Sequence, residues 1–96
     1  MWFNVKEARE QLINKGFVFT LRPKLRREGH EILMYKDFGK KGDLWVSFIS
    51  DITSASMLNK FVEWSGFDSV GKWLIAAKEA QYLYLVVLME VEKSQD

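Results

Sequence analysis

The spacing of apolar residues changes from helical to strand-like and back along the chain, and each change marks a predicted element. Near the N-terminus, apolar residues recur every three or four positions with charged residues on the opposite face, which predicts a helix over residues 5–15. Asn4 is the predicted N-cap of this helix. Gly16 can take the left-handed conformation that ends a helix.

Four stretches rich in β-branched and aromatic residues predict strands. They cover Phe17–Leu21, Ile32–Tyr35, Leu44–Ile52 and Tyr82–Val91. Pro23 ends the first strand because it lacks the N–H group that a strand ladder needs. The third strand departs from strict alternation, which predicts either burial of both its faces or a β-bulge.

Helical spacing returns between the third and fourth strands. Residues 53–56 offer N-caps for one helix, which extends to Trp64. Asp68 or Ser69 caps a second helix, which Glu79–Gln81 closes. The order of one helix, three strands, two helices and one strand is typical of an α+β fold. Since the last strand is the most apolar, we expect it at the centre of a small mixed sheet or barrel.

The length of 96 residues supports a single domain, residues 1–96, because two cores of half this size would each be marginal. Its polar end, residues 92–96, is predicted to fray. The longest uninterrupted apolar run is Tyr82–Met89, far shorter than the roughly 20 residues of a membrane span. The N-terminus has no secretory signal pattern. We therefore expect a soluble, cytoplasmic protein that makes no membrane contact.

Composition excludes several kinds of chemistry. The chain has no cysteine and one histidine, His30, so we expect no disulfide, no thiolate nucleophile and no metal or other cofactor. His30 could contact a phosphate, or it could be a plain exposed loop residue. The sequence contains no HExxH, G-x-S-x-G or P-loop motif, and we assign no catalytic residue. Glu90 and Glu92 share a strand face, but that spacing is common.

Positive charge is concentrated in one segment. Residues 15–41 contain eight lysines and arginines against three acids, and residues 42–96 contain four against eight. The whole chain carries a net charge of only +1. A surface that serves solubility alone mixes the two signs more evenly. The segment therefore predicts a binding face, and its charge suggests that this face is turned toward a nucleic acid.

The candidate binding residues lie in and after the first strand. Arginine and lysine side chains bind phosphate oxygens, and several together make binding salt-dependent. The candidates are Arg22, Lys24, Arg26, Arg27, Lys40 and Lys41. The alternative is a solvated turn without a ligand. Thr20 lies two positions before Arg22, so the two side chains share a strand face and form a polar pair at its end.

Aromatic residues next to the charged turns are further candidates. Tyr35 and Phe38 could stack on unpaired bases there, as could Trp45. The alternative is core packing, which must occupy most of the large aromatic side chains. This set comprises Trp45, Phe48, Phe61, Trp64, Phe67 and Trp73.

Three motifs occur in order along residues 15–91. They are Thr20–Pro23 with Arg26–Gly29, then Gly66–Leu74, and then Tyr82–Leu88. This ordered set resembles the ASCH domain family of the PUA-like superfamily, in particular its small archaeal members. The resemblance implies a compact mixed β-barrel with three helices packed at its rim. It also implies RNA or nucleotide binding in a cleft lined by Thr20, Arg22 and the basic residues that follow.

Some ASCH proteins are hydrolases that act on a modified cytidine, and others are ribonucleases. In the hydrolase pattern a lysine precedes the Thr-x-Arg unit by three positions, where this chain has Phe17. The first hypothesis is therefore an RNA- or nucleotide-binding module. The second is a hydrolase of a modified nucleoside or RNA that uses Thr20, and the third is a dimeric protein-interaction or regulatory module. Whether the chain is a monomer or a homodimer stays open.

Overall fold

The computed structural model describes residues 1–92. In it, helices pack on both sides of one β-sheet. The helices are α1 (Lys6–Lys15), two short 3₁₀ helices (Ala55–Lys60 and Val62–Trp64) and α2 (Val70–Ala76). The strands are β1 (Phe17–Arg22), β2 (Gly29–Leu33), β3 (Gly42–Asp51) and β4 (Tyr82–Val91). The predicted α+β class is confirmed. The predicted fraying of residues 92–96 lies outside the described residues, apart from Glu92, whose N–H donates to the carbonyl of Lys41 at 2.8 Å.

The four strands form one sheet in the order β1-β4-β3-β2. The predicted interior position of the C-terminal strand is confirmed, because β4 pairs with β1 on one side and β3 on the other. Val86 of β4 lies opposite Val18 and Val46, and all three side chains are fully buried. The apolar run therefore occupies the position with the most neighbours, where burial stabilises it most.

The expected mixed barrel is not what the backbone forms. All pairings between the named strands are antiparallel, and the sheet is open. Within residues 1–92 the parallel pairing is one isolated bridge between Trp2 and Met34, next to the end of β2. Hydrogen bonds from Met34 to the Met1 carbonyl (3.0 Å) and from Phe3 to the Met34 carbonyl (2.9 Å) hold residues 1–3 there. The sequence pattern could not show this because the contact joins residues more than 30 positions apart.

The irregular pattern of β3 comes from bulges, one of the two alternatives that the sequence left open. The β3–β4 register shifts between Asp43 and Leu44 and again between Phe48 and Ser50. Trp45 and Phe48 lie in the stretch between the two shifts and are 49% and 37% exposed. These two residues are therefore not among the large aromatic side chains that fill the interior.

Two of the predicted helix features are corrected, and a third is confirmed. Val5, not Asn4, is the N-cap of α1, and the Asn4 carboxamide oxygen instead accepts from the Lys36 N–H at 2.9 Å. The single helix expected to extend to Trp64 is two 3₁₀ helices. Of the two predicted caps, Asp68 and Ser69, Ser69 caps α2, since its hydroxyl accepts from the Lys72 N–H at 3.2 Å.

The sheet separates two hydrophobic clusters. The first lies between α1 and one sheet face and includes Leu12, Val18 and Val86. The second lies under the 3₁₀ helices and α2 and includes Leu58 and Trp73. At the end of β1 the two clusters meet across an opening, which contains the candidate site. Among the described residues no helix is long and apolar enough to cross a membrane.

Candidate ligand cavity

A cavity of about 290 Å³ lies at the C-terminal end of β1. Its walls come from the N-terminal segment, α1, the end of β1 and the α2 region. Apolar and aromatic side chains form most of the lining, namely Trp2, Phe3, Val5, Ala8, Leu21, Pro23, Phe67, Trp73, Ala76 and Ala77. The polar lining residues are Thr20, Arg22 and Lys78. An apolar cavity with a few convergent polar groups is the usual form of a small-molecule site, although this one lies near the lower end of the common size range of about 300–1,000 Å³.

Thr20 and Arg22 lie together in the cavity wall, as their two-residue spacing predicts. Thr20 is buried, and Arg22 is the last residue of β1. Strand alternation turns the neighbouring Phe17 and Phe19 to the opposite face, where their rings contact Trp64 at centroid distances of 6.3 and 6.2 Å. The polar pair is therefore separated from the aromatic cluster of the same strand.

Two contacts hold the Arg22 side chain. Its Nη2 donates to the Trp2 carbonyl at 2.9 Å, and its guanidinium lies 4.9 Å from the centre of the Phe3 ring. Its Nε is buried and has no hydrogen-bond partner among the described residues. Burial, reinforced by the nearby positive charge of Arg26 and opposed by Glu31, lowers the pKa of Arg22 to about 10. The guanidinium is still charged at neutral pH.

The charge of the lining is one-sided. Arg22 and Lys78 are basic, and none of the lining residues within the described part of the chain is acidic. An arginine can only donate hydrogen bonds, and a buried donor without a partner costs about 1–3 kcal/mol. The cavity is therefore suited to a flat, largely apolar group that presents acceptor oxygens or nitrogens, or a negative charge.

The other basic residues predicted for the site do not gather around the cavity. Three of them have acidic partners: Arg26 pairs with Glu31 at 3.0 Å, Lys40 with Asp43 at 3.3 Å, and Lys41 with Asp37 at 3.0 Å. Lys40 also lies 3.7 Å from Glu92.

Lys24 and Arg27 are exposed, and neither forms an ion pair within residues 1–92. Lys24 and Pro23 line a separate surface depression, and Pro23 also lines the cavity. Much of the positive charge counted along the sequence is thus neutralised locally, and Lys24 and Arg27 are the predicted bases left without a partner.

The loop that connects β1 to β2 is fixed at its middle. The Arg26 N–H donates to the Tyr84 hydroxyl at 2.6 Å, and that hydroxyl lies 3.4 Å from the Arg26 carbonyl. Tyr84 belongs to β4 and is fully buried, so its ring is packed in the core while its hydroxyl reaches the loop. The basic loop therefore has a defined position relative to the sheet.

The two predicted stacking residues have different environments. Tyr35 is half-buried, and Arg9 and Lys41 lie over its ring at 5.3 and 5.7 Å from the ring centre. Phe38 is 88% exposed, and its ring meets the Trp2 ring edge-to-face with centroids 5.1 Å apart. The Phe38 ring has free surface for a ligand, whereas the side chains of Arg9 and Lys41 already lie over the Tyr35 ring.

His30 is exposed and lies at 2.7 Å from an Asp43 carboxylate oxygen, on the sheet rather than in the cavity. The hydrogen bond from His30, together with the Lys40 ammonium, lowers the pKa of Asp43. Within the described residues, no group of three acidic or histidine side chains is placed to hold a metal ion.

The sequence reasoning missed most of the cavity wall. Trp2, Phe3 and Lys78 were not assigned to a site, and Phe67 and Trp73 were assigned to the core. The signal for Phe67 and Trp73 was their place in the second ordered motif. Trp2 and Lys78 had no such signal, because only the folded chain brings positions 2 and 78 next to position 22.

No protein-family model matches the sequence, and no curated protein or solved structure is similar to it at a significant level.

Proposed function

We propose that this protein is an RNA-binding module of the PUA-like type, which holds one unpaired nucleotide of its ligand in the cavity beside Thr20 and Arg22. The observation that carries the proposal is an aromatic cavity whose polar lining consists of one hydroxyl and two basic groups. The ordered motifs of the sequence and the position of Thr20 and Arg22 in one cavity wall support the same reading.

A nucleotide has the properties that this lining favours. A base is flat and apolar on its faces, and aromatic side chains such as Trp2 and Phe67 offer it contact surface. Its edge carries acceptors for the Thr20 hydroxyl and for the guanidinium of Arg22. Its phosphate can reach Lys78 at the α2 end of the wall or Lys24 beyond Pro23.

Binding is favoured over hydrolysis of the ligand. Position 17, where the hydrolase pattern has its lysine, is a phenylalanine that packs against Phe19 and Trp64. Side chains at positions 17 and 20 lie on opposite faces of β1. Position 17 therefore does not carry the lysine nucleophile of the hydrolase pattern, and its side chain lies on the strand face opposite Thr20.

The test is a binding titration with mononucleotides and with short single-stranded and duplex RNA and DNA at two salt concentrations. Trp2 and Trp73 line the cavity, so tryptophan emission reports its occupancy directly. We expect salt-sensitive binding of single-stranded RNA. Thr20→Val keeps the branched shape and removes the hydroxyl, and it should weaken binding about 2- to 10-fold, the range of one hydrogen bond.

Lys78→Ala and Lys72→Ala form a matched pair, because both lysines are exposed and lie in or next to α2, but only Lys78 lines the cavity. Lys78→Ala should weaken binding and reduce the salt slope by up to about one unit, while Lys72→Ala should leave both unchanged. The proposal fails if no nucleic acid or nucleotide binds, or if the two lysine variants behave alike.

A further inference from the structure

Trp2 is shared by two concave surfaces. One side of it lines the cavity next to Arg22, and it also lines an open depression formed with residues of β2 and the basic loop. That depression contains Arg26, His30 and Glu31. The cavity and the depression therefore adjoin at Trp2, so a ligand in the cavity can extend past Trp2 along the protein surface.

The Phe38 ring extends this surface on the Trp2 side. The two rings are nearly perpendicular, at 89°, so at least one face of Phe38 is free of Trp2. The exposure of 88% shows that no other described residue covers that face. A free aromatic face adjoining the cavity wall is a stacking platform for a base.

The turn that carries Phe38 is held in place by its own hydrogen bonds. The Lys36 N–H donates to the Asn4 side chain at 2.9 Å, and the Gly39 N–H donates to the Asp37 carboxylate at 2.8 Å. Asp37 is fixed in turn by Lys41 at 3.0 Å. Because these bonds already order the turn, little conformational entropy is lost when a ring stacks on Phe38.

From these contacts we infer that the ligand is a single-stranded oligonucleotide of at least two nucleotides, not a free mononucleotide. One base occupies the cavity, and the neighbouring base stacks on Phe38 beside Trp2. The linking phosphate lies at Trp2, between Arg22 on the cavity side and Arg26 on the side of the depression. This inference depends on the proposed function, since it extends the same site by one nucleotide.

The experiment compares the affinity of a mononucleotide, a dinucleotide and a single-stranded hexanucleotide, together with a duplex of the hexanucleotide. We expect the dinucleotide to bind about 5- to 150-fold more tightly than the mononucleotide, the range that stacking of one base on an aromatic side chain gives. The duplex should bind more weakly than the single strand because its bases are paired and cannot enter the cavity.

Phe38→Ala should remove most of the gain in affinity from mononucleotide to dinucleotide. Ile75→Ala is the matched control, because Ile75 is an apolar residue of α2 that is 77% exposed and lines neither the cavity nor the depression next to Trp2. Thermal unfolding of both variants should match the wild type, since both side chains are largely in solvent.

Two results overturn the inference and leave the proposed function standing. One is equal affinity for mononucleotide and dinucleotide, and the other is a Phe38→Ala variant that binds oligonucleotides as tightly as Ile75→Ala. A third result, equal binding of the duplex and the single strand, also overturns the inference. Failure of every nucleotide and nucleic acid to bind overturns the proposed function itself.

Discussion

The guanidinium of Arg22 donates a hydrogen bond of 2.9 Å to the main-chain carbonyl of Trp2. Arg22 ends β1, one edge strand of the sheet, while Trp2 lies in the segment that pairs beside the end of β2, the other edge strand. A side chain therefore spans the opening of a sheet whose backbone ladder does not close. The same guanidinium forms part of the cavity wall, so the site lies at the junction of the two sheet edges.

Replacement of Arg22 by alanine should lower the free energy of unfolding. The change removes the bond to the Trp2 carbonyl and the contact with the Phe3 ring, and we expect a loss of about 1–3 kcal/mol. Urea unfolding followed by tryptophan fluorescence measures it. Arg27→Ala is the control, because Arg27 is exposed and should contribute within about 0.5 kcal/mol. Equal stability of the two variants would contradict a bridging role for Arg22.

Addition of a methyl group at Gly66 should also lower the free energy of unfolding. Its φ of 91° lies in the left-handed region, and a Cβ there would overlap the carbonyl oxygen of Glu7 in α1. We expect Gly66→Ala to destabilise the fold by about 2 kcal/mol or more, from the unfavourable φ together with the overlap. The measurement is the shift of the urea midpoint.

Gly71→Ala provides the comparison for Gly66→Ala. Gly71 lies in α2, and the nearest atom to a Cβ there is the Ser69 hydroxyl at 3.9 Å. Alanine is favoured over glycine in a helix by up to about 1 kcal/mol, so this variant should be as stable as the wild type or more stable. The prediction for Gly66 is wrong if both alanine variants shift the midpoint by the same amount.

The sequence predicted those parts of the fold that local pattern determines. The apolar run of β4 indicated an interior strand, and the Ser69 cap followed from a hydroxyl before a helical stripe. Strand parity placed Thr20 with Arg22. Each of these depends on residues within a few positions of one another, where period and residue type carry the information.

The parts that sequence reasoning missed depend on distant pairing. The Asn4 side chain accepts a hydrogen bond from the Lys36 N–H instead of capping α1, and Glu92, which follows β4, lies 3.7 Å from Lys40. Trp45 alternates with buried Leu44 and Val46 and is exposed, although a large aromatic residue favours burial. Local propensity is a weak prior in such places, because tertiary contacts decide among several acceptable local states.

Tyr84→Phe tests how the basic loop is positioned. The substitution keeps the buried ring and removes the hydroxyl that accepts from the Arg26 N–H at 2.6 Å, so we expect a loss of about 0.5–1.5 kcal/mol. Hydrogen exchange should also show faster exchange of the Arg26 amide. Tyr82→Phe is the matched control, because Tyr82 is on the same strand and its hydroxyl has no hydrogen bond within residues 1–92. Unchanged exchange at Arg26 in Tyr84→Phe would show that the loop is held by other contacts.

Asp43 should make stability depend on pH in the acid range. The hydrogen bond from His30, aided by Lys40, lowers the pKa of Asp43 from its ordinary value of 3.8. The folded state therefore holds the carboxylate charged at a pH where the unfolded chain is already binding a proton. The resulting stabilisation is fully present above about pH 4 and is lost as the pH falls through the lowered pKa.

Asp43→Asn should consequently be less stable than the wild type above pH 5, and the difference should shrink as the pH falls below 3.8. Urea unfolding at several pH values gives this difference, and an NMR titration of the Asp43 carboxyl carbon gives the pKa directly. Asp51→Asn is the control, because Asp51 is exposed at the end of β3 and forms no ion pair among the described residues. A carboxyl at position 43 that titrates at or above 3.8, or a stability difference that grows on acidification, would rule out the His30–Asp43 contact as a stabilising one.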